Sequence, residues 1–205
     1  MILLRMLVLA LLLPLAACGT KAVMATDDVV QRAAFRAEGP TSLTLFTMIN
    51  NRSGEGGHTA LLINGSQQVL FDPAGSWYHS TVPEQNDVLF GMTPLMVQFY
   101  RDYHARQTYH LVIQTIEVPP EVAEQAIATV RAHGAVPQAF CANSASTILG
   151  SLPGFDGIGK TMFPARLSRW FGALPGVVTS TQFDTDPDDN KYKLEKAAPE
   201  TAAAN

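Results

Sequence analysis

Cysteine is nearly absent from this chain: 205 residues contain two, Cys18 and Cys141. They form no Cys-x-x-Cys pair and the sequence has no His-Glu-x-x-His, so it lacks the ligand spacings that hold zinc, and neither a metal nor another cofactor is expected. It also lacks Gly-x-Ser-x-Gly, the strained elbow that exposes a nucleophilic serine, which removes that class of hydrolase. The glycines from Gly154 to Lys160 miss the spacing of a phosphate-binding loop and read as an ordinary loop. Basic residues are few, 14 against 18 acidic, with no clustered basic face to neutralise phosphates, so nucleic acid is not an expected partner. No internal repeat is visible.

A membrane-spanning helix needs ~20 apolar residues, and the uncharged run from Met6 to Cys18 falls short of that. What is present is a secretory signal: Arg5, an apolar stretch to Leu13, then Leu15-Ala16-Ala17 before Cys18. The segment resembles the lipobox of bacterial lipoproteins, which implies signal peptide 1–17 and an acylated Cys18 as the first mature residue. Removing 1–17 takes away Arg5 and leaves 13 basic against 18 acidic residues, a net charge of −5. The resemblance implies a periplasm-facing envelope protein joined to the membrane through Cys18. Gly19 and Thr20, in place of an aspartate after the cysteine, favour the outer membrane. Cys141 then has no partner in the chain. A lone thiol in an oxidising compartment is buried and inert, paired between molecules, or retained for its chemistry.

Residues 18–40 read as anchor and linker. Residues 184–205 carry six acidic residues, three basic residues and two prolines, with almost no aliphatic side chains. That composition cannot offset the entropy of ordering, so a disordered tail is expected. Residues 41–183 have the length of one domain, and a monomer is expected.

Within it, Thr41–Ile49, Thr59–Ile63, Gln68–Phe71 and Leu111–Val118 read as strands, the middle two joined through Asn64-Gly65, a hairpin signal. Pro94–Ala105, Pro119–His133 with its Gly134 stop, Cys141–Leu152 and Pro164–Phe171 read as helices. Helices alternating with antiparallel hairpins indicate an α+β layer fold.

The chemistry gathers in two places. Gly54-Glu55-Gly56-Gly57-His58-Thr59 is a flexible lead-in to a strand, and Asp72 ends the returning strand. If the hairpin closes through Asn64, Gly65 and Ser66, Ile63 pairs with Gln67 and His58 falls directly opposite Asp72, ~5 Å away between Cβ atoms. A two-residue loop makes the pair diagonal. Each residue alone also reads blandly, His58 as a strand cap and Asp72-Pro73 as a turn. The second place is Phe140-Cys141-Ala142-Asn143-Ser144 at a helix start, where backbone amides favour a thiolate. Taken by itself, Cys141 reads first as a core residue, since Ala145, Ile148 and Leu152 share its face. Asn143 and Ser144 read as groups satisfying the helix start. His79, His104 and His133 read as surface or helix-face residues.

In the order Gly57-His58-Thr59-Ala60-Leu61-Leu62-Ile63, then Phe140-Cys141-Ala142-Asn143, the chain resembles the circularly permuted branch of the papain-like NlpC-type superfamily over about residues 41–172. The resemblance implies a permuted papain-like fold, an antiparallel sheet with packed helices including a nucleophile helix. Cys141 would be the nucleophile, His58 the base and Asp72 the group orienting it. It further implies a thiol hydrolase or acyltransferase acting on an amide or ester bond of envelope material, peptidoglycan or a lipid acyl group. The rival from another class is a catalytically silent lipoprotein using the same fold to bind a ligand or partner.

Overall fold

The computed structural model describes residues 23–197, with side chains described through 194. The signal peptide, Cys18 and residues 198–205 lie outside the described residues. No described helix is long and apolar enough to cross a membrane.

The architecture is α+β. Strands β1 (Ser42–Asn50), β2 (Gly56–Asn64), β3 (Gln68–Phe71), β4 (Glu84–Gln85), β5 (Val88–Phe90), β6 (Tyr109–Glu117) and β7 (Val178–Gln182) form one sheet in the order β4-β5-β3-β2-β1-β6-β7. All its pairings are antiparallel. The helices are α1 (Asp27–Ala33), α2 (Pro94–His104), α3 (Pro120–His133), α4 (Cys141–Leu149), α5 (Pro164–Gly172) and α6 (Tyr192–Ala197). Three of them open on proline, whose fixed φ suits a first turn and whose missing N–H costs nothing there. Thr93 caps α2 by accepting from the Met96 amide at 3.3 Å. Helix α3 ends at Gly134, where φ is +82°.

Alternation along the central strands sends side chains to two cores. Leu43, Leu45, Leu61, Ile63, Val69 and Phe71 face α3, α4 and α5, meeting Ile127, Ile148 and Phe171. Phe46, Met48, Ala60, Leu62 and Leu70 face the other way, onto Met96, Tyr100 and Tyr103 of α2. Covered on both faces, the interior of β1 reads as a continuous buried run.

The β2–β3 register differs from both hairpins considered above. Asn64 pairs with Gln68 around a loop of Gly65, Ser66 and Gln67, and Leu61 pairs with Phe71. The loop is fixed one residue later because Glu124 of α3 accepts from the Ser66 amide and hydroxyl, at 2.5 and 2.8 Å. Continued, this register sets Asp72 across from Ala60, so His58 and Asp72 are diagonal neighbours. An even-numbered displacement keeps both on one face of the sheet.

Two segments expected to stand apart from the domain pack onto it. In the linker, Val30 of α1 joins the first core, Met24 bridges Gln85, and the Phe35 carbonyl accepts from the Gln68 amide at 2.6 Å. In the expected tail, Asn190 and Leu194 are buried. Asn190 Nδ2 donates to the Tyr103 carbonyl at the end of α2 (2.6 Å), and Asp188 accepts from the Thr108 amide and hydroxyl. Lys193 pairs with Asp102 at 2.7 Å and also with Asp186. Polar side chains satisfying backbone and charge at the end of α2 and the start of β6 hold this segment, a mode that hydrophobic composition does not register. Truncation after Phe183 should lower the melting temperature by about 3–6 °C, from ~1–2 kcal/mol of net stabilisation. Calorimetry showing an unchanged melting temperature would restore the disordered tail.

Candidate active site

The bulge between Met48/Ile49 and Gly56 lets β2 leave its partner, and His58 sits just inside it, across from Met48. The two glycines before it are positions of close approach. A Cβ on Gly56 would lie 2.6 Å from Pro164, and one on Gly57 would lie 2.6 Å from the Tyr109 ring. This corrects the reading of the segment as a flexible lead-in.

Strand β3 stops at Phe71, and Asp72 opens a turn closed by the Gly75 amide donating to the Asp72 carbonyl at 2.9 Å. Pro73 takes the second position and Ala74, with φ +57°, the third, the pattern of a type II turn. Alanine there carries strain of about 1–2 kcal/mol. Asp87 offsets it: its carboxylate accepts from the Ala74 and Val136 amides (3.1 and 2.8 Å), and its carbonyl accepts from the Asp72 amide (2.8 Å). Gly75 is required on other grounds, because a Cβ would fall 1.8 Å from Asp72 Oδ2.

These constraints aim the Asp72 carboxylate at His58. Oδ1 accepts from His58 Nε2 and from the Tyr100 hydroxyl, both at 2.7 Å. Tyr100 is fully buried and Asp72 is 4 % exposed. Burial opposes ionisation of the imidazole, but the charge of Asp72 and its hydrogen bond outweigh it, helped by Cys141, and His58 is pushed up to about 10. Burial alone would raise the carboxyl, yet the His58 charge and hydrogen bond hold Asp72 below its usual range. Burial and the Asp72 charge push the Tyr100 phenol well above 10, leaving it a neutral donor.

With Nε2 committed to Asp72, Nδ1 is the ring nitrogen left for the thiol. Cys141 opens α4, which packs on β2 beside the stretch that β3 leaves without a neighbour. Burial pushes the thiol up, but its hydrogen bond to His58, the imidazolium charge and the amides of Thr59 and Ala142 bring it below the ordinary thiol value. Neither Asn143 nor Ser144 caps α4, so the first-turn amides are not claimed by a capping side chain. The structure thus brings Cys141, His58 and Asp72 together, with the imidazolium and carboxylate forms favoured and the thiol held below its ordinary value.

Two further side chains belong to this site and were not singled out as members from sequence. Tyr100 binds the carboxylate. His104, expected on a surface or outer helix face, is 8 % exposed, with its ring 6.0 Å from that of His58, centroid to centroid, and nearly parallel to it. Its burial, reinforced by the His58 imidazolium and only partly opposed by Asp72, pushes it down to about 4. Tyr100 and His104 lie one turn apart on the inward face of α2, with Met96 and Tyr103, a stripe that reads from sequence as core. His79 is also buried, stacked on Trp77 and Phe99, with Nδ1 held by the Thr81 hydroxyl at 2.8 Å. His133 is exposed.

A cleft of about 360 Å³ opens beside His58, walled by Gly57, Ser76, His104, Tyr109 and the segment Asp188–Lys191. Across the wall made by Ala74, Gly75 and Ser76 runs a larger groove of about 1140 Å³, lined by Val29, Tyr78 and Val136 among others and touching none of the three central residues. Asp102, Asp184 and Asp186 are close enough together to hold a metal ion, but the Lys193 ammonium pairs with two of them. No family model, curated protein or solved structure matches the chain.

Proposed function

We propose that this chain is a bacterial envelope lipoprotein, anchored through Cys18 and facing the periplasm, whose permuted papain-like domain is a thiol hydrolase or acyltransferase. The observation that carries the reading is the line from Asp72 through His58 to Cys141, in which the carboxylate fixes the imidazole and the imidazolium holds the thiol below its ordinary value. A structural cysteine needs neither partner.

The chemistry follows from those charges. Cys141 Sγ attacks the carbonyl carbon of an amide or ester, forming a C–S bond, and the oxyanion meets the Cys141 amide at the start of α4. As the C–N or C–O bond breaks, His58 gives its proton to the leaving group. Neutral His58 then takes a proton from water or an acceptor hydroxyl, whose oxygen attacks the thioester. The C–S bond breaks and the ion pair returns. Asp72 and Tyr100 keep the ring oriented throughout and transfer no proton.

The full chain incubated with peptidoglycan fragments and with acyl esters should acquire an acyl group on Cys141, visible as a mass increase and discharged by hydroxylamine. Cys141→Ala should acquire none, and metabolic labelling with a tagged fatty acid should be lost in Cys18→Ser. Cys141 is only 7 % exposed, which favours the silent binding reading. Absence of any adduct with both substrate classes would establish that reading.

A further inference from the structure

His104 holds a geometry that the reaction above leaves unused. Its Nδ1 lies 2.7 Å from the Tyr100 carbonyl, one helical turn back. A carbonyl only accepts, so Nδ1 carries the hydrogen and the neutral ring presents a bare lone pair at Nε2. That atom lies across the ring from the helix backbone, and His104 lines the 360 Å³ cleft together with His58. Two imidazoles with near-parallel rings therefore face one cleft, and they differ in kind. His58 is the proton carrier, bound to Asp72, whereas His104 makes no hydrogen bond to that carboxylate, whose Oδ1 is taken by His58 and Tyr100. Burial keeps it uncharged, with protonation delayed to about 4.

We propose that His104 positions the incoming acceptor, with Nε2 accepting a hydrogen bond from the water, hydroxyl or amine that attacks the acyl-thiol, so that the small cleft is the acceptor subsite. The inference rests on the thiol-acyl chemistry proposed above. The acceptor must carry an N–H or O–H to donate, so carboxylates and thioether groups do not fit. In deacylation the acceptor oxygen or nitrogen forms the new bond to the acyl carbon, the C–S bond breaks, and the acceptor's proton passes to His58. His104 stays neutral from start to finish. The segment Asp188–Lys191, held over the cleft by Asn190 and Asp188, sets its outer limit.

The test separates the two halves of the reaction with 4-nitrophenyl acetate on the full-length chain. Nitrophenolate released in a fast first turnover reports acylation of Cys141, and the following steady rate reports deacylation. His104→Phe, which keeps a buried ring, and His104→Asn, which keeps a donor for the Tyr100 carbonyl, should both retain the burst. Their steady rate should fall about ten- to hundredfold, the scale of losing acceptor alignment. Thioester should build up on Cys141, and hydroxylamine, reactive enough to dispense with alignment, should restore turnover. A steady rate unchanged in His104→Asn, or burst and steady rate falling together in both variants, would overturn the role of His104 alone. Absence of a burst in the unaltered protein would remove the acyl chemistry itself and this inference with it.

Discussion

Alkylation of Cys141 by iodoacetamide in the folded protein should lose less rate between pH 8.5 and pH 6 than that of an ordinary thiol. An ordinary thiol of pKa ~8.5 is ~0.3 % thiolate at pH 6 and loses roughly a hundredfold in rate over that interval. Cys141 is held below its ordinary value by His58, and His58 keeps its proton up to about 10, so the cation that favours the thiolate is present over the whole range. The expected loss is smaller than that hundredfold. His58→Ala removes the charge and leaves a buried thiol that burial pushes upward, so the pH 6 rate should drop by about tenfold or more. Labelling of Cys141 only after denaturation, or a rate indifferent to His58→Ala, would leave the thiol as part of the core.

Asp72→Asn should act on both reactivity and stability, because it keeps the shape and the acceptor oxygen while deleting the charge. Burial then works on His58 opposed only by Cys141, and its pKa should fall well below about 10. The thiol is then less firmly supplied with its cation, and alkylation at pH 7 should slow. Losing charged hydrogen bonds to His58 and Tyr100 should cost about 2–3 kcal/mol, or about 5–10 °C in melting temperature. The pH dependence has a definite sign. The raised His58 value contributes stability fully below 6.5, fading as pH rises through about 10. The lowered Asp72 value contributes stability above 3.8, fading as pH falls through its folded value. The gap between the two proteins should therefore be widest between about pH 4 and 6.5 and should close towards pH 10. Nuclear magnetic resonance titration of the His58 ring checks the first claim, and thermal unfolding across pH checks the second. A His58 pKa unmoved by Asp72→Asn would show that the carboxylate does not govern the imidazole.

Much of the framework is readable in the chain because the elements that carry it are long or sharply punctuated. The buried strand Ser42–Asn50, the Asn-Gly hairpin, and the helices opened by Pro94 and Pro120 each announce themselves through local pattern. Strands β4 and β5 are two and three residues long, too short for any period to appear. Strand β7 is almost wholly exposed, so its alternation has no apolar signal. At the site, His58 and Asp72 were legible through hairpin parity even though the register was misplaced, since an even shift preserves the face. Tyr100 and His104 were hidden because their inward helical spacing is what any core stripe shows. The grip of Asp188, Asn190 and Lys193 lay beyond reach for another reason: it depends on groups at the end of α2 and the start of β6, and no local pattern carries such a partnership.

The residues that make up the charged line come from distant parts of the chain, two from a hairpin near its start and one from a helix formed much later. Synthesis from the N-terminus delivers them in that order, the imidazole and its carboxylate before the thiol. Until α4 docks on β2, Cys141 is an ordinary protonated thiol, slow to oxidise and slow to form mixed disulfides. In the reading proposed above, its reactivity belongs to the folded chain, in which α4 lies against β2.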